Sequence, residues 1–526
     1  MDGSALELVL VNPGGRKLIY QDLGNDLTAI EPPLWCRLIA GYARDRGVSV
    51  TIIDTEAEGL GPQDVADRIA AEAPLLVTVV VFGHQPSAST QQMASAGELC
   101  RTIKATCPDQ PVLIVGGHVS ALPERTLAEE AVDFACKGEG PVTITQLLAV
   151  LKAQAASVAD PDPGESPGFD TLGFDTPGFD SVEGLVWRRE GEIIVNRPAP
   201  LIQDLDTDLH GQVWDLLPMT RYRAHNWQCF GDLAARIPYA SIYTSLGCPY
   251  KCNFCCINAP FDSSRYRMRS PAAVIKEIDY LYRTHGVRTF KIIDEMFVLN
   301  ERHVFAICDG LIELGYADEL NFWAYARVDT VKPHMLEKLR KAGIRWLALG
   351  IESGSKHVRD GALKALREND IINIVRSIQQ ANIAVIGNYI FGLPDDTMET
   401  MRQTLDLSKD LNCEFANFYS AMAYPGSQLY NDAVNNGWAL PDSWAGFSQH
   451  SYDCKPLPTK TLSAAEVLQF RDSAFHEYFS DIRYLDGITQ RFGWETRQHI
   501  EDMARHRLKR RLLEDPTGVE TGPNAP

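Results

Sequence analysis

The sequence predicts an α/β protein: an N-terminal doubly wound parallel sheet, then a partial (β/α)6 barrel, then a small helical C-terminal domain. Three observations carry that reading. Between residues 6 and 152, five short apolar runs alternate with amphipathic stretches. The alternation returns as six βα-type units between residues 239 and 422. Beyond about residue 455 only helical periodicity remains. The corresponding segments are 1–155 for the first sheet, 156–235 for a linker and connecting segment, 236–454 for the barrel and 455–526 for the helices and tail.

In the first region the predicted strands are 6–12, 49–54, 75–82, 111–115 and 133–136, with helices at 34–46, 63–72, 89–106, 123–130 and 141–152. The unbroken run Val77-Thr78-Val79-Val80-Val81 fits a central strand covered on both faces. The loops after the strands include Asn12-Pro13-Gly14-Gly15, Gly83-His84-Gln85-Pro86, Gly116-Gly117-His118 and Lys137-Gly138-Glu139-Gly140. They lie at the carboxyl edge, where such sheets bind ligands, and their glycines let a bulky ligand approach the backbone. None is a G-x-G-x-x-G or P-loop pattern, so NAD and ATP are unsupported. Asp54–Gly59 reads as a strand end and a turn.

Residues 156–181 repeat Gly-Phe-Asp three times among prolines and acidic residues, a composition that forms no packed core. Residues 182–195 predict a hairpin turning near Glu190-Gly191. Trp214, Tyr222 and Trp227 read as core, with covering an active site as the alternative. Barrel strands are expected at 239–246, 289–294, 321–328, 346–351, 384–391 and 414–422. C-terminal helices follow at 463–479, 484–491 and 496–513, with the basic run His506–Arg511 as a solvated helix face and the tail from Asp515 as disordered.

The 526 residues are 45% hydrophobic and 23% charged, an ordinary globular balance with ample material for a core. The net charge of −19 argues against non-specific binding to nucleic acid. No apolar run is long enough to span a membrane, and the start lacks a signal-peptide pattern. Twelve cysteines, scattered apart from one cluster, indicate reduced thiols and a cytoplasmic setting.

That cluster is the centre of the chemistry. Gly247-Cys248-Pro249-Tyr250-Lys251-Cys252-Asn253-Phe254-Cys255 follows the first barrel strand and has the spacing C-x3-C-x2-C. Closed zinc sites and ordinary cubane clusters take four protein ligands. Three thiolates suit a [4Fe–4S] cluster with one open iron, and the alternative is a zinc loop completed by a distant residue. Cys256 reads as a neighbour, since a fourth ligand would close the site.

This spacing, with Phe254 before the last cysteine, resembles the radical S-adenosylmethionine (SAM) superfamily signature. The resemblance implies that SAM chelates the open iron and is cleaved to a 5′-deoxyadenosyl radical by one electron from an external donor of the flavodoxin or ferredoxin type. Later loops fit the same family in order. Asp294-Glu295 ends the second strand, and Glu295 is expected at the SAM ammonium. Arg327 ends the third and suits the SAM carboxylate or ribose. Gly350-Ile-Glu352-Ser353-Gly-Ser355 resembles the G-x-E-S-G loop, with Glu352 for the ribose or amino group. Gly387–Pro394, with Gly392, resembles the stretch whose backbone meets the adenine.

The first region resembles the cobalamin-binding domain of B12-dependent radical SAM enzymes, on Gly116-Gly117-His118, Pro123-Glu124 and Lys137-Gly138-Glu139-Gly140. It departs from many such domains in lacking D-x-H-x-x-G after the first strand, where the histidine ligates cobalt. The implied cobalamin contacts are Asn12, Pro13, Gly83, His84, Gly116, Gly117, His118, Gly138 and Glu139. The implied function is radical SAM methylation of a small molecule through methylcobalamin. The family's frequency in antibiotic biosynthesis is the only guide to context, and a B12-dependent oxidation, cyclisation or ring rearrangement is the alternative.

Overall fold

A computed structural model describes residues 6–21, 27–83, 85, 87–159, 178–364 and 366–514. The linker repeats between residues 160 and 177, His84, and the tail from Asp515 therefore lie outside the described residues. The chain divides into two compact units, one of residues 1–15, 33–218 and 258–263, the other of residues 16–32, 219–257 and 264–526.

The first unit is built on a seven-stranded sheet. Its strands are β1 (Leu8–Asn12), β2 (Val50–Asp54), β3 (Leu76–Val81), β4 (Val112–Gly116), β5 (Phe134–Cys136), β6 (Leu185–Arg189) and β7 (Glu192–Val195), in the order β2-β1-β3-β4-β5-β6-β7. The first five are parallel, as the alternation predicts, and every residue of β3 is buried. The sheet is two strands wider than those five. The hairpin β6–β7, expected in the connecting segment, adds antiparallel to β5 with Phe134 opposite Trp187. An unpaired edge exposes donors and acceptors, and the hairpin covers the one β5 would leave. Trp187 and Phe134 both pack on Phe179, 5.2 and 5.1 Å between ring centroids. Residues Thr55–Glu58, expected as a turn, form one helical turn capped by Asp54 Oδ1 on the Ala57 amide.

At the end of β4 the backbone runs very close to β3: a Cβ at Gly116 would stand 2.1 Å from the Val81 carbonyl oxygen. At Gly117 the nearest atom to a Cβ is Ser89 Cβ at 3.5 Å, an ordinary contact.

The second unit contains β8 (Tyr239–Ile242), the two-residue β9 (Ser245–Leu246) and β10 (Arg267–Met268), then β11 (Thr289–Ile292), β12 (Asn321–Arg327), β13 (Ile344–Glu352), β14 (Ala384–Phe391) and β15 (Phe415–Ser420). The barrel sheet is all parallel, in the consecutive order β15-β14-β13-β12-β11-β8, the expected six-stranded partial barrel. Aromatic side chains fill its amino end: Trp227 meets Trp323 and Trp346 edge to face at 5.2 and 5.4 Å. Trp227 is thus core, and so are Trp214 (2% exposed) and Tyr222 (fully buried). The C-terminal helices pack on β14 and β15. Arg471 Nε donates to Phe418 O at 2.8 Å, and Tyr478 Oη to Cys413 O at 2.6 Å.

The expected last helix is shorter than its periodicity: it spans Trp494–Arg505, and His506 is extended. The basic run is therefore not a helix face. Arg510 is buried and donates to both Asp472 oxygens at 2.8 and 2.9 Å and to Ser451 O.

After β14 the loop is held by Asp396, 1% exposed, whose Oδ2 accepts from the amides of Gly392 and Leu393, both at 3.0 Å, and whose Oδ1 accepts from Thr400 Oγ1. Burial raises its pKa to about 6 against the pull of those donors.

Two tests follow from these geometries. Gly116→Ala should cost about 1–3 kcal/mol by overpacking β3 against β4, and Gly117→Ala less than about 0.5 kcal/mol, read from thermal or urea unfolding. A raised carboxyl pKa means the folded state binds the proton more tightly. The Asp396 contribution is therefore greatest below the ordinary value of 3.8 and is lost as pH rises through about 6. Between roughly pH 4 and 6.5 the stability of the native chain should fall relative to Asp396→Asn by about 2 kcal/mol. A pH-independent difference would remove Asp396 as its source.

Candidate active site

The cysteine loop begins where β8 ends, and its start is fixed by a buried acid. Asp294, after β11, accepts from Thr244 N at 2.6 Å, Thr244 Oγ1 at 2.5 Å and Ser245 Oγ at 2.6 Å. The next residue, Glu295, accepts from Gly247 N at 3.1 Å, one residue before Cys248. Burial, with Asp294 adding to it, raises the Glu295 carboxyl to about 7. Gly247 has φ +86, a conformation that side chains disfavour. Of the two adjacent carboxylates, the structure gives Asp294 a full set of internal donors and leaves Glu295 half-buried beside the thiols.

Cys248, Cys252 and Cys255 are all partly exposed, and the Cys255 amide donates to Cys252 O at 3.1 Å, closing a turn. Burial raises the pKa of Cys248 and, more strongly, of Cys255, and the neighbouring thiols push in the same direction. Ionising three thiols so placed calls for positive charge. Arg327 supplies some: its Nη1 lies 3.8 Å from Cys252 Sγ, and its guanidinium carbon is 3.9 Å from the centre of the Tyr250 ring. Among the described residues no group of three or more His, Cys, Asp or Glu side chains is placed to hold a single metal ion. A cubane cluster spreads its thiolates over different irons, so three separated thiols on one turn fit it. Cys256 points elsewhere, buried among Met422, Tyr424, Phe447, Cys454 and Leu468.

The remaining barrel candidates sit on the strand-end loops. Phe254 packs against Val358, Ala362, Leu393 and Ala421. Asn253 ties the cysteine loop down, with Nδ2 on Gly361 O at 3.0 Å and its carbonyl accepting from Leu429 N at 2.8 Å. Arg327 is paired with Asp329 through two bonds of 2.9 and 3.0 Å. Glu352 has φ +67 at a register shift in β13 and forms a buried ion pair with Lys364. A Cβ at Gly350 would stand 2.3 Å from Lys364 Nζ, so the glycine makes room for that pair. Ser353 Oγ meets Thr404 Oγ1 at 3.1 Å and accepts from the Ser355 amide. Gly392, φ +83, is held by Asp396, and a Cβ there would stand 2.4 Å from Val467 Cγ1. Asp329, Lys364 and Asp396 were missed in the sequence. The Leu393-Pro-Asp-Asp396 turn chemistry was the only signal, and it pointed to Asp396.

In the first unit, Asn12, Pro13, Gly83, Gly116, Gly117, Gly138 and Glu139 lie at the carboxyl edge of β1, β3, β4 and β5. Asn12 Nδ2 donates to Asp54 Oδ1 at 3.0 Å, and the Gly15 amide to Glu56 Oε1 at 2.8 Å. The side chain of His118 is in the interior, 1% exposed, with Nδ1 3.1 Å from Thr90 Oγ1. Burial lowers its pKa to about 3. Glu139 is also buried and accepts from the Ile202 amide at 3.0 Å. Residues 137–142 line a shallow groove together with 198–202 and 259–262.

Comparison with known proteins bears on both units. The B12 binding domain family matches residues 20–148, and the Radical SAM superfamily matches residues 242–408. An uncharacterized methyltransferase of Pyrococcus horikoshii is 27% identical over 84% of this chain and 86% of its own length. The anaerobic magnesium-protoporphyrin IX monomethyl ester cyclase of Synechocystis is 26% identical over 72% and 69%. The radical SAM methyltransferase TsrM from Kitasatospora setae, solved with cobalamin and a [4Fe–4S] cluster bound, shares the fold with a TM-score of 0.66 and 17% identity, over 95% of this chain and 99% of that one. Joining a B12 binding domain to a radical SAM domain in one polypeptide, the chain is a cobalamin-dependent radical SAM enzyme whose cofactors are a [4Fe–4S] cluster, SAM and cobalamin.

Proposed function

We propose that the enzyme methylates an unactivated carbon, or a phosphinate phosphorus, of a small molecule, using one SAM as methyl source and another as radical source. The observation that carries this reading is the cysteine loop. Three partly exposed thiols share one turn at the carboxyl end of a parallel barrel, with Arg327 beside Cys252 and Glu295 on the Gly247 amide. When bound, the cluster and SAM supply a hydrogen-abstracting organic radical, and cobalamin supplies the methyl group.

In this reading Cys248, Cys252 and Cys255 hold three irons. Glu295 orients the SAM ammonium, and Arg327 its carboxylate, exchanging Asp329 for the ligand. Glu352 and Ser353 hold the ribose or amino group, and Phe254 and the Gly392 backbone flank the adenine. The first-unit loops, from Asn12 and Pro13 through Gly83, His84, Gly116, Gly117 and His118 to Gly138 and Glu139, hold cobalamin. For His118 and Glu139 the backbone is the available surface, because both side chains are engaged inside the protein. An external electron donor of the flavodoxin or ferredoxin type completes the cycle. Twelve cysteines without a disulfide support a reducing, cytoplasmic setting. Among the described residues no helix is long and apolar enough to cross a membrane. A second reading, oxidation, cyclisation or ring rearrangement without net methylation, draws on the similarity to the cyclase.

The product mass after anaerobic turnover with methyl-labelled SAM separates the two, since only methylation adds the label. Cys252→Ala should abolish the cluster's visible absorbance and reductive SAM cleavage while cobalamin stays bound; retained cleavage would sink the assignment. Glu352→Gln should cost about 3–5 kcal/mol, because it leaves Lys364 buried and uncompensated. The double variant Glu352→Gln, Lys364→Met should regain that stability but not SAM affinity, whereas a purely structural role for Glu352 would restore both.

A further inference from the structure

The basic run near the C-terminus has no part in the site above, and the structure gives it a different setting. Residues 506–508 follow the preceding helix, with His506 extended, and together with the helix Ala464–Phe479 they border a groove. Its basic lining comprises the guanidiniums of Arg471 and Arg507 and the imidazoles of His450, His476 and His506. Asp472 is the one carboxylate of the lining, and it is already engaged. Arg510 holds both its oxygens, and Arg471 donates to it at 2.7 Å. Two guanidiniums thus share one carboxylate. Among the described residues neither His506 nor Arg507 takes part in an ion pair, and both are exposed. This surplus sits on a chain whose net charge is −19.

The imidazoles register the same surplus. His476 Nδ1 lies 3.0 Å from Ala504 O, so this nitrogen carries the hydrogen and Nε2 is left to accept a proton. Burial, then Arg507, lowers the pKa of His476, with Arg471 acting in the same direction and Asp472 opposing. His450 is likewise pushed well down by burial, Arg471 and Arg510, with Asp472 opposing, and its Nε2 lies 3.2 Å from Arg471 Nη2. Guanidiniums that share a single carboxylate gain from a doubly charged oxyanion, which also accepts hydrogen bonds from guanidinium and from a protonated imidazole. The rest of the lining is apolar, with Phe475, Met503, Leu508 and Leu513.

We propose that this groove binds an organic phosphate, its dianionic head on Arg507, Arg471 and His476 and its apolar body on Phe475, Met503 and Leu513. None of the lining residues is among the candidate cluster, SAM or cobalamin residues, and the proposal does not depend on which reaction the enzyme performs.

Calorimetric titration of the full chain with phenyl phosphate at constant ionic strength tests it, with inorganic phosphate, benzoate and phenol as comparison probes. Phenyl phosphate should bind saturably, at least about tenfold more tightly than any of the three. Arg507→Ala should weaken it about tenfold, whereas Arg505→Ala, whose exposed side chain pairs with Asp502, should not. Binding should also raise the titration midpoint of the His476 imidazole followed by NMR. Absence of saturable binding, equal binding of phenol or benzoate, indifference to Arg507→Ala, or an unmoved His476 midpoint would each overturn the proposal.

Discussion

One buried carboxylate organises the barrel mouth. Asp294 is withdrawn from water, and its oxygens take an amide and two hydroxyls from Thr244 and Ser245. Burying an unsatisfied carboxylate would be costly, so the three donors are bound to their positions as firmly as the acid is to its own. The chain leaving β8 consequently enters the cysteine loop from a fixed point. The adjacent Glu295 is set against Gly247, the first residue of that loop. One acid builds the turn, and its neighbour is left beside the thiols.

The charges at the other strand ends are arranged on a related principle. Arg327 is matched by Asp329, and Glu352 by Lys364. Each pair keeps a charge at low exposure that would otherwise be expelled or neutralised. Under the proposed function, a zwitterionic ligand entering there would find both signs already positioned and would exchange partners with them. Gly350 and Gly392 serve the same loops sterically, leaving space for Lys364 Nζ and Val467 where any Cβ would collide.

The first unit shows backbone approach as the governing constraint. Gly116 lets the end of β4 lie against the Val81 carbonyl, and the buried side chains of His118 and Glu139 are spent on Thr90 and the Ile202 amide. At His118 and Glu139 this edge is left with backbone to present. The lack of a histidine in the first loop after β1 is consistent with that character.

Much of this was legible before folding. Apolar runs spaced by helical stretches announced both parallel sheets, because strand and helix impose different periods on the buried face. Three thiols within eight residues need no tertiary contact to be brought together, so the cysteine loop could be read directly. The hairpin at residues 182–195 was legible as local structure, but its attachment to β5 was not, since strand pairing depends on an edge formed 50 residues earlier. The basic run at 506–511 read as helix because its neighbours are helical; Asp472, distant in sequence, takes Arg510 instead. Asp329, Lys364 and Asp396 escaped for a similar reason, as a charge acquires its role from what it meets. The sequence by itself determined the elements, their order and the thiol cluster, all set by local spacing. Tertiary structure alone decided which carboxylates are consumed internally and which face the site, because that depends on donors supplied from other strands.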